Sequence, residues 1–179
     1  MKFTRAKFFS FLAAIAAMFV LSGTAIAEDW IHTGSGKRVK TIVVVDVNVY
    51  SISHFMSQRP AEKSKSAVIE ADVNKKFECK MLRDLEGEKL KTALKEAYAK
   101  NNYTDQGKIG KVLGAFTGDL KEGQKFSIKY DAEKKTTTFN VDGQGSVTVD
   151  GADFMKGTWS IWFGNIDQKD LGNQLISKL

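Results

Sequence analysis

Arg38 stands where a charged side chain meets one of the most apolar stretches of the chain. The segment "GSGKRVKTIVVVDVNVYSI", residues 34–52, sets Lys37, Arg38 and Lys40 at the mouth of a run of valines. A guanidinium in such a place suits a carboxylate, which its planar fork grips through two parallel hydrogen bonds. The same group can polarise a carbonyl as an electrostatic catalyst. Read as one strand from Arg38 to Ser51, the segment has two faces. One carries Val39, Thr41, Val43, Val45, Val47 and Val49, a plain core face. The other carries Arg38, Lys40, Ile42, Val44, Asp46, Asn48 and Tyr50, and is charged, then apolar, then polar. Polar side chains on a covered face need partners, so this pattern predicts a helix layer that leaves a cleft. An apolar ligand body would stack on Ile42 and Val44 with its head group at Arg38, an apolar pocket with few fixed polar groups. The plainer alternative is an internal ion pair from Arg38 to a carboxylate such as Asp46 or Asp153, or a solvated arginine.

Tyr50 and Tyr98 are candidate hydroxyl donors to the same ligand. Each is also compatible with a core-edge aromatic whose hydroxyl meets water. Cys79, the single cysteine, lies in "FECKML" with Phe77 and Met81 on its own face, which suits a packed thiol. A nucleophilic cysteine wants a histidine partner, and the two histidines, His32 and His54, make no recognisable pair with it. Their spacing, without a cysteine or carboxylate cluster, fits no metal-ligand pattern. Tyr50 or His54 could in principle ligate a haem iron, but nothing else calls for a cofactor. No Ser-His-Asp set can be assembled, and "GSGK" lacks the length and the Ser/Thr of a phosphate-binding loop. Trp159 and Trp162, three apart, suit a core or a cleft wall, and Asp153 could cap the helix that bears them.

The first 27 residues read as a leader, not as fold. A basic start with Lys2, Arg5 and Lys7 precedes the apolar run "FFSFLAAIAAMFVLSG", and small residues at Ala25 and Ala27 precede Glu28. That is the three-part pattern of a secretory signal peptide cleaved after Ala27. The apolar run is shorter than the roughly 20 residues of a spanning helix, and Thr24 stands where a lipoprotein would have its cysteine. The expectation is an exported, periplasmic protein of residues 28–179 with no membrane anchor after cleavage. Removing three cations and no acid leaves the mature chain at +3, against +6 for the whole. The remaining cations alternate with acids ("AEKSKS", "EGEKLKTALKE"), a solvated pattern. Nothing resembles a basic stripe interleaved with stacking aromatics, which argues against nucleic acid. The mature length suits one domain with a real core, and a lone cysteine means that this core replaces disulfides.

The elements that must position Arg38 follow from periodicity. "SAVIEADV" and "KKFECKML" read as short strands. Leu90, Leu94, Ala97 and Tyr98 recur at helical spacing, as do Ile109, Val112, Leu113 and Phe116. Gly110 and Gly114 weaken that second helix and suggest close packing or backbone near a ligand. "KEGQKFSIKYDAEKKTTTFNVDG" predicts a hairpin, and "QGSVTVDG" another β piece. "GADFMKGTWSIWFG" and "QKDLGNQLISKL" predict two closing helices, the latter with Leu171, Leu175 and Leu179 spaced by four. The order points to an α+β domain, an antiparallel sheet with helices on one face.

Taken together, "GSGKR" leading to "VNVYSI", then "RDLEGEKLKTALKEAY", "FTGDLKEGQKFSIKY" and "VDGADFMKGTWSIWFG" resemble the chalcone isomerase-like family, in particular its bacterial exported branch. The resemblance spans nearly all of residues 28–179. It implies an open-faced antiparallel β-sandwich with a helical layer on one face and a ligand cleft between sheet and helices. In plant enzymes of the family an arginine early in the long strand engages a chalcone, whose phenol closes onto its enone. In non-catalytic members the same arginine meets a fatty-acid carboxylate. Arg38 matches that position. The enzymes' strand threonine is not matched near Asp46 and Asn48, and Lys95, Tyr98 and Asn101 do not reproduce their helical trio. The resemblance implies a binder rather than an enzyme, with Arg38 as its carboxylate-holding residue. With the residue chemistry above, the expected ligand is a small hydrophobic or aromatic acid held by Arg38, with Tyr50 and Tyr98 as candidate donors. The alternatives are an intramolecular lyase acting on an enone through Arg38, and an envelope structural protein with a closed cleft.

Overall fold

The computed structural model describes residues 28–42 and 45–179. The leader, its cleavage point after Ala27, and Val43 and Val44 lie outside the described residues. The long apolar run is two strands, not one. β1 (Ile31–Ile42) and β2 (Val45–Met56) pair antiparallel, with Ile42 opposite Val45. The sequence has no Gly, Asn or Pro there to announce a reversal, and its β-branched residues favour extended chain throughout. The predicted core face splits accordingly. Val45 is 62% exposed, Asp46 and Asn48 are exposed, and Val49 is buried.

A register shift sharpens the correction. Arg38 lies opposite Tyr50, but Val39 lies opposite Asn48, so β2 carries Val49 as an extra residue. Such a bulge re-aims side chains. On its C-terminal side, even-numbered residues of β2 such as Tyr50, Ile52 and His54 point inward. On its N-terminal side the parity changes, and Val47 and Val49 join Tyr50 in lining one cavity.

β3 (Lys75–Met81), β4 (Lys125–Asp131), β5 (Thr136–Val141) and β6 (Gly145–Asp150) continue a six-stranded antiparallel sheet whose strands neighbour one another in chain order. One face is apolar, with Ile52, Phe77, Ile128, Phe139 and Val149 buried. The other carries Ser, Thr and Lys, the usual alternation of a sheet covered on one side.

The covering helices are α1 (Lys65–Glu70), α2 (Gly87–Lys100), α3 (Gln106–Gly114), α4 (Ala152–Phe163) and α5 (Lys169–Leu175). α1 replaces the strand expected over "SAVIEADV". Two contacts outside its periodicity decide this. Ser64 accepts a hydrogen bond from the Ala67 N–H at its start. At its end the buried Lys75 ammonium donates to the carbonyls of Val68, Ile69 and Ala71 at 2.7, 3.1 and 2.9 Å, groups a helix end leaves unpartnered. α2 buries Leu90, Leu94 and Tyr98. α4 is the most buried helix, with Phe154, Trp159 and Trp162 against the sheet. α5 lies on β1, where a Cβ at Gly34 would collide with the Gln174 carbonyl and one at Gly36 with Leu171 and Gln174 side-chain atoms. The glycines of "GSGKR" thus admit the C-terminal helix.

Candidate functional site

A cavity of about 610 Å³ opens between the far ends of β1 and β2, helix α2 and the end of α4. Its apolar wall comes from Val47, Val49, Leu90, Leu94, Ile161 and Trp162. Arg38 and Tyr50 stand in it as cross-strand partners. The rim is charged, with Arg83, Lys89, Lys100 and Lys121 beside Asp84, Glu86, Glu96 and Asp119. The volume lies within the range of small-molecule sites, and the closed cleft of the structural-protein alternative is corrected.

The Arg38 side chain is 12% exposed and pairs with neither Asp46 nor Asp153. The internal ion pair of the plainer alternative is nonetheless present, with another partner: Nη2 donates to Asp167 at 2.6 Å. Asp46 instead accepts from Thr41 at 2.7 Å, and Asp153 pairs with Lys108 at 2.9 Å. Lys40 reaches the other Asp167 oxygen at 2.9 Å. Asp167 sits in the short loop between α4 and α5, and the next residue fixes that loop. Gln168 accepts the Val39 N–H at 2.9 Å and donates to the Lys37 carbonyl at 2.9 Å, in the manner of an added strand. Arg38 Nη1 donates to Gln168 at 3.3 Å and to the Val39 carbonyl at 3.1 Å. A guanidinium has five N–H groups. Among the described residues, the Nε proton and one Nη2 proton of Arg38 have no acceptor.

Tyr50 accepts the indole N–H of Trp162 at 3.0 Å, and its own hydroxyl proton has no acceptor among the described residues. Burial above all pushes the Tyr50 pKa well up, with Cys79 adding to it; the Trp162 bond and Arg38 pull the other way. Tyr50 therefore keeps its proton and is a donor. Partial burial would raise the Asp167 pKa, but the hydrogen bond from Lys40 and the charges of Arg38 and Lys40 outweigh it and hold it at about 2. Asp167 is an anion throughout the ordinary pH range.

The structure brings Arg38 and Tyr50 together and leaves Tyr98 out. Tyr98 is fully buried, its hydroxyl 3.0 Å from that of Thr158, and it does not line the cavity. Its helical stripe with Leu90 and Leu94 already placed it inward. Asp167, Gln168 and the pairing of Lys40 with Asp167 were not found from the sequence. "NIDQKD" reads as an ordinary polar loop, and the Arg38–Asp167 contact spans 129 residues.

His54 is not available to iron. Its Nδ1 lies 2.6 Å from the Thr33 hydroxyl, and its Nε2 accepts from Trp159 at 2.9 Å. Among the described residues, no group of three or more His, Cys, Asp or Glu could hold a metal ion. Cys79 is a free, buried thiol whose pKa is raised by burial.

A family model described as chalcone isomerase-like matches residues 27–176. No curated protein matches the chain. Among solved structures, the crystal structure of a fatty-acid binding protein of Arabidopsis thaliana is similar, with a TM-score of 0.67 and 12% identity, over 84% of this chain and 88% of that one. At that identity the likeness is one of fold.

Proposed function

The chain belongs to the chalcone isomerase-like family, and from that premise we propose that it binds a small hydrophobic acid, of the fatty-acid or aromatic-acid class, in the cavity between sheet and helices. One observation carries the proposal: two N–H groups of Arg38 and the hydroxyl proton of Tyr50 have no acceptor among the described residues, and both side chains line one apolar-walled space as cross-strand partners. A carboxylate is the group that uses all of them, accepting from the guanidinium and the phenol at once. The apolar chain or ring then replaces water along Val47, Val49, Leu90 and Trp162. The structurally similar Arabidopsis thaliana protein is a fatty-acid binding protein, which supports the same ligand class. No bond is made or broken in this reading.

The same proposal includes export. The leader pattern in residues 1–27 supports secretion to a bacterial periplasm with cleavage after Ala27, and with it membership of the family's exported branch. Intact mass of the secreted protein should correspond to a chain beginning at Glu28; retention of residues 1–27 would sink that part.

Thermal unfolding with and without dodecanoate, other fatty acids and aromatic acids tests the binding. A ligand at 100 times its Kd adds about 2.7 kcal/mol to stability. The rise should appear with wild type and vanish in Arg38→Ala. No shift with any acid tried, or an equal shift in the variant, would overturn the assignment.

A further inference from the structure

The head-group end of the cavity already contains a carboxylate. Asp167 joins Arg38 at 2.6 Å and Lys40 at 2.9 Å, so two cations share one anion. The loop that bears Asp167 is held independently of this charge. Gln168 clasps the main chain of β1 on both sides of Arg38, and the Asn165 N–H donates to Asn101 at 2.7 Å. Gln168 and the Val39 carbonyl also hold Arg38 Nη1. Asp167 is therefore not needed to place Arg38, and Arg38 is not needed to place the loop. What Asp167 changes is charge. The trio of Arg38, Lys40 and Asp167 has one positive charge left over, next to the free protons of Arg38 and Tyr50.

We propose that Asp167 is a resident counter-ion that fixes the charge of the head group the cavity accepts, selecting a single negative charge over a neutral head and over a double one. The inference rests on the binding function proposed above. An incoming carboxylate takes the free Nε and Nη2 protons of Arg38 and the Tyr50 hydroxyl, and brings the trio to neutrality. Asp167 stays in place. A dianionic head such as a phosphate monoester would exceed the available cation and face Asp167 across a short distance. A neutral alcohol would leave the cation uncompensated in a partly dry site, where charge interactions are stronger than in water.

The test is calorimetric titration at pH 8 with three probes that share one chain: dodecanoate, dodecyl phosphate and dodecanol. At that pH the phosphate monoester is a dianion, because its second pKa is about 6. Wild type should bind dodecanoate more tightly than either of the others. Asp167→Asn should tighten dodecanoate by roughly tenfold and dodecyl phosphate by still more, since each unit of charge in a site of intermediate dielectric is of that order or larger. Dodecanol should not change. Lys40→Met, at a side chain 49% exposed and so safe for folding, should weaken dodecanoate by a similar factor and again spare dodecanol. Unchanged ratios among the three probes in both variants would overturn the proposal, as would a loss common to all three in Asp167→Asn, which would mark a merely structural residue. Arg38→Ala separates the two levels. If it loses dodecanoate while the charge variants leave the ratios alone, the counter-ion fails and the binding function stands. If wild type binds none of the probes, or Arg38→Ala binds dodecanoate as well as wild type, both fail.

Discussion

Trp159 and Trp162 lie one turn apart on α4, and each donates its indole N–H to a residue of β2. Trp159 reaches His54 and Trp162 reaches Tyr50. From this shared arrangement the two contacts diverge. At the Trp159 end the chain of hydrogen bonds is closed. Nε2 of His54 accepts from the indole, so Nδ1 carries the proton and donates to Thr33, whose hydroxyl donates to the Leu175 carbonyl at 2.7 Å. Every member is fully buried. At the Trp162 end the chain stops at Tyr50, with a proton left over and a cavity beside it. One scaffold thus produces a sealed core and a receptive site, and the difference is whether the last donor has a protein acceptor. Buried polar groups in native proteins are almost always paired, and under the proposed function the ligand's head group is the acceptor that Tyr50 lacks among the described residues.

The sealed end should be sensitive to acid. Burial first, then the charges of Lys75 and His32, lower the His54 pKa well below 6.5 in the folded state. The unfolded chain therefore takes up this proton first as pH falls. The stability that neutral His54 supplies is complete above about pH 6.5 and declines below it, by about 1.4 kcal/mol per pH unit. Urea unfolding at pH 7 and pH 5 should show this decline, flattened in His54→Gln. An equally steep decline in the variant would assign the effect elsewhere and remove the contrast between the ends.

A smaller effect separates the tryptophans themselves. Trp159→Phe strands the buried Nε2 of His54 and should cost about 1–3 kcal/mol. Trp162→Phe leaves the Tyr50 hydroxyl free to meet water in the cavity, and the lost hydrogen bond itself should cost no more than about 1 kcal/mol. Equal losses in urea would mean that the Trp162 end is as closed as the other.

The smallest effects divide the tyrosines. Tyr98→Phe removes one buried hydrogen bond, worth about 1 kcal/mol, and should leave dodecanoate affinity unchanged. Tyr50→Phe takes the acceptor from the buried Trp162 indole N–H and should also cost about 1 kcal/mol, but it should weaken dodecanoate a few-fold, the value of about one neutral hydrogen bond. The opposite affinity pattern, read by calorimetry on both variants, would exchange the roles of the two residues.

The sequence shows the helices well where packing is periodic. The stripes of α2 and α3, the β4–β5 hairpin and the apolar helix α4 are all visible in it, because each alternates at its own period against a single core. Two features are not visible. The reversal between Ile42 and Val45 falls inside a run of residues that all favour extended chain, and the extra residue at Val49 has no compositional mark. Together they turn a supposed core face into a cavity wall. At the site, Arg38 is legible as a cation at an apolar cleft because both features are local. Asp167 is not, because its partner lies on the opposite side of the sequence, and only the folded loop with Gln168 brings it there.

The clasp of Gln168 on β1 also acts beyond the cavity. β1 is the outermost strand of an open sheet, and such a strand offers its main-chain donors and acceptors to any extended peptide. Here Gln168 takes the Val39 N–H and the Lys37 carbonyl, and the Lys178 N–H takes the Thr33 carbonyl at 2.8 Å. The C-terminal segment therefore occupies the seat that a neighbouring molecule's strand would need. By filling it, the chain guards itself against end-to-end polymerisation through this edge.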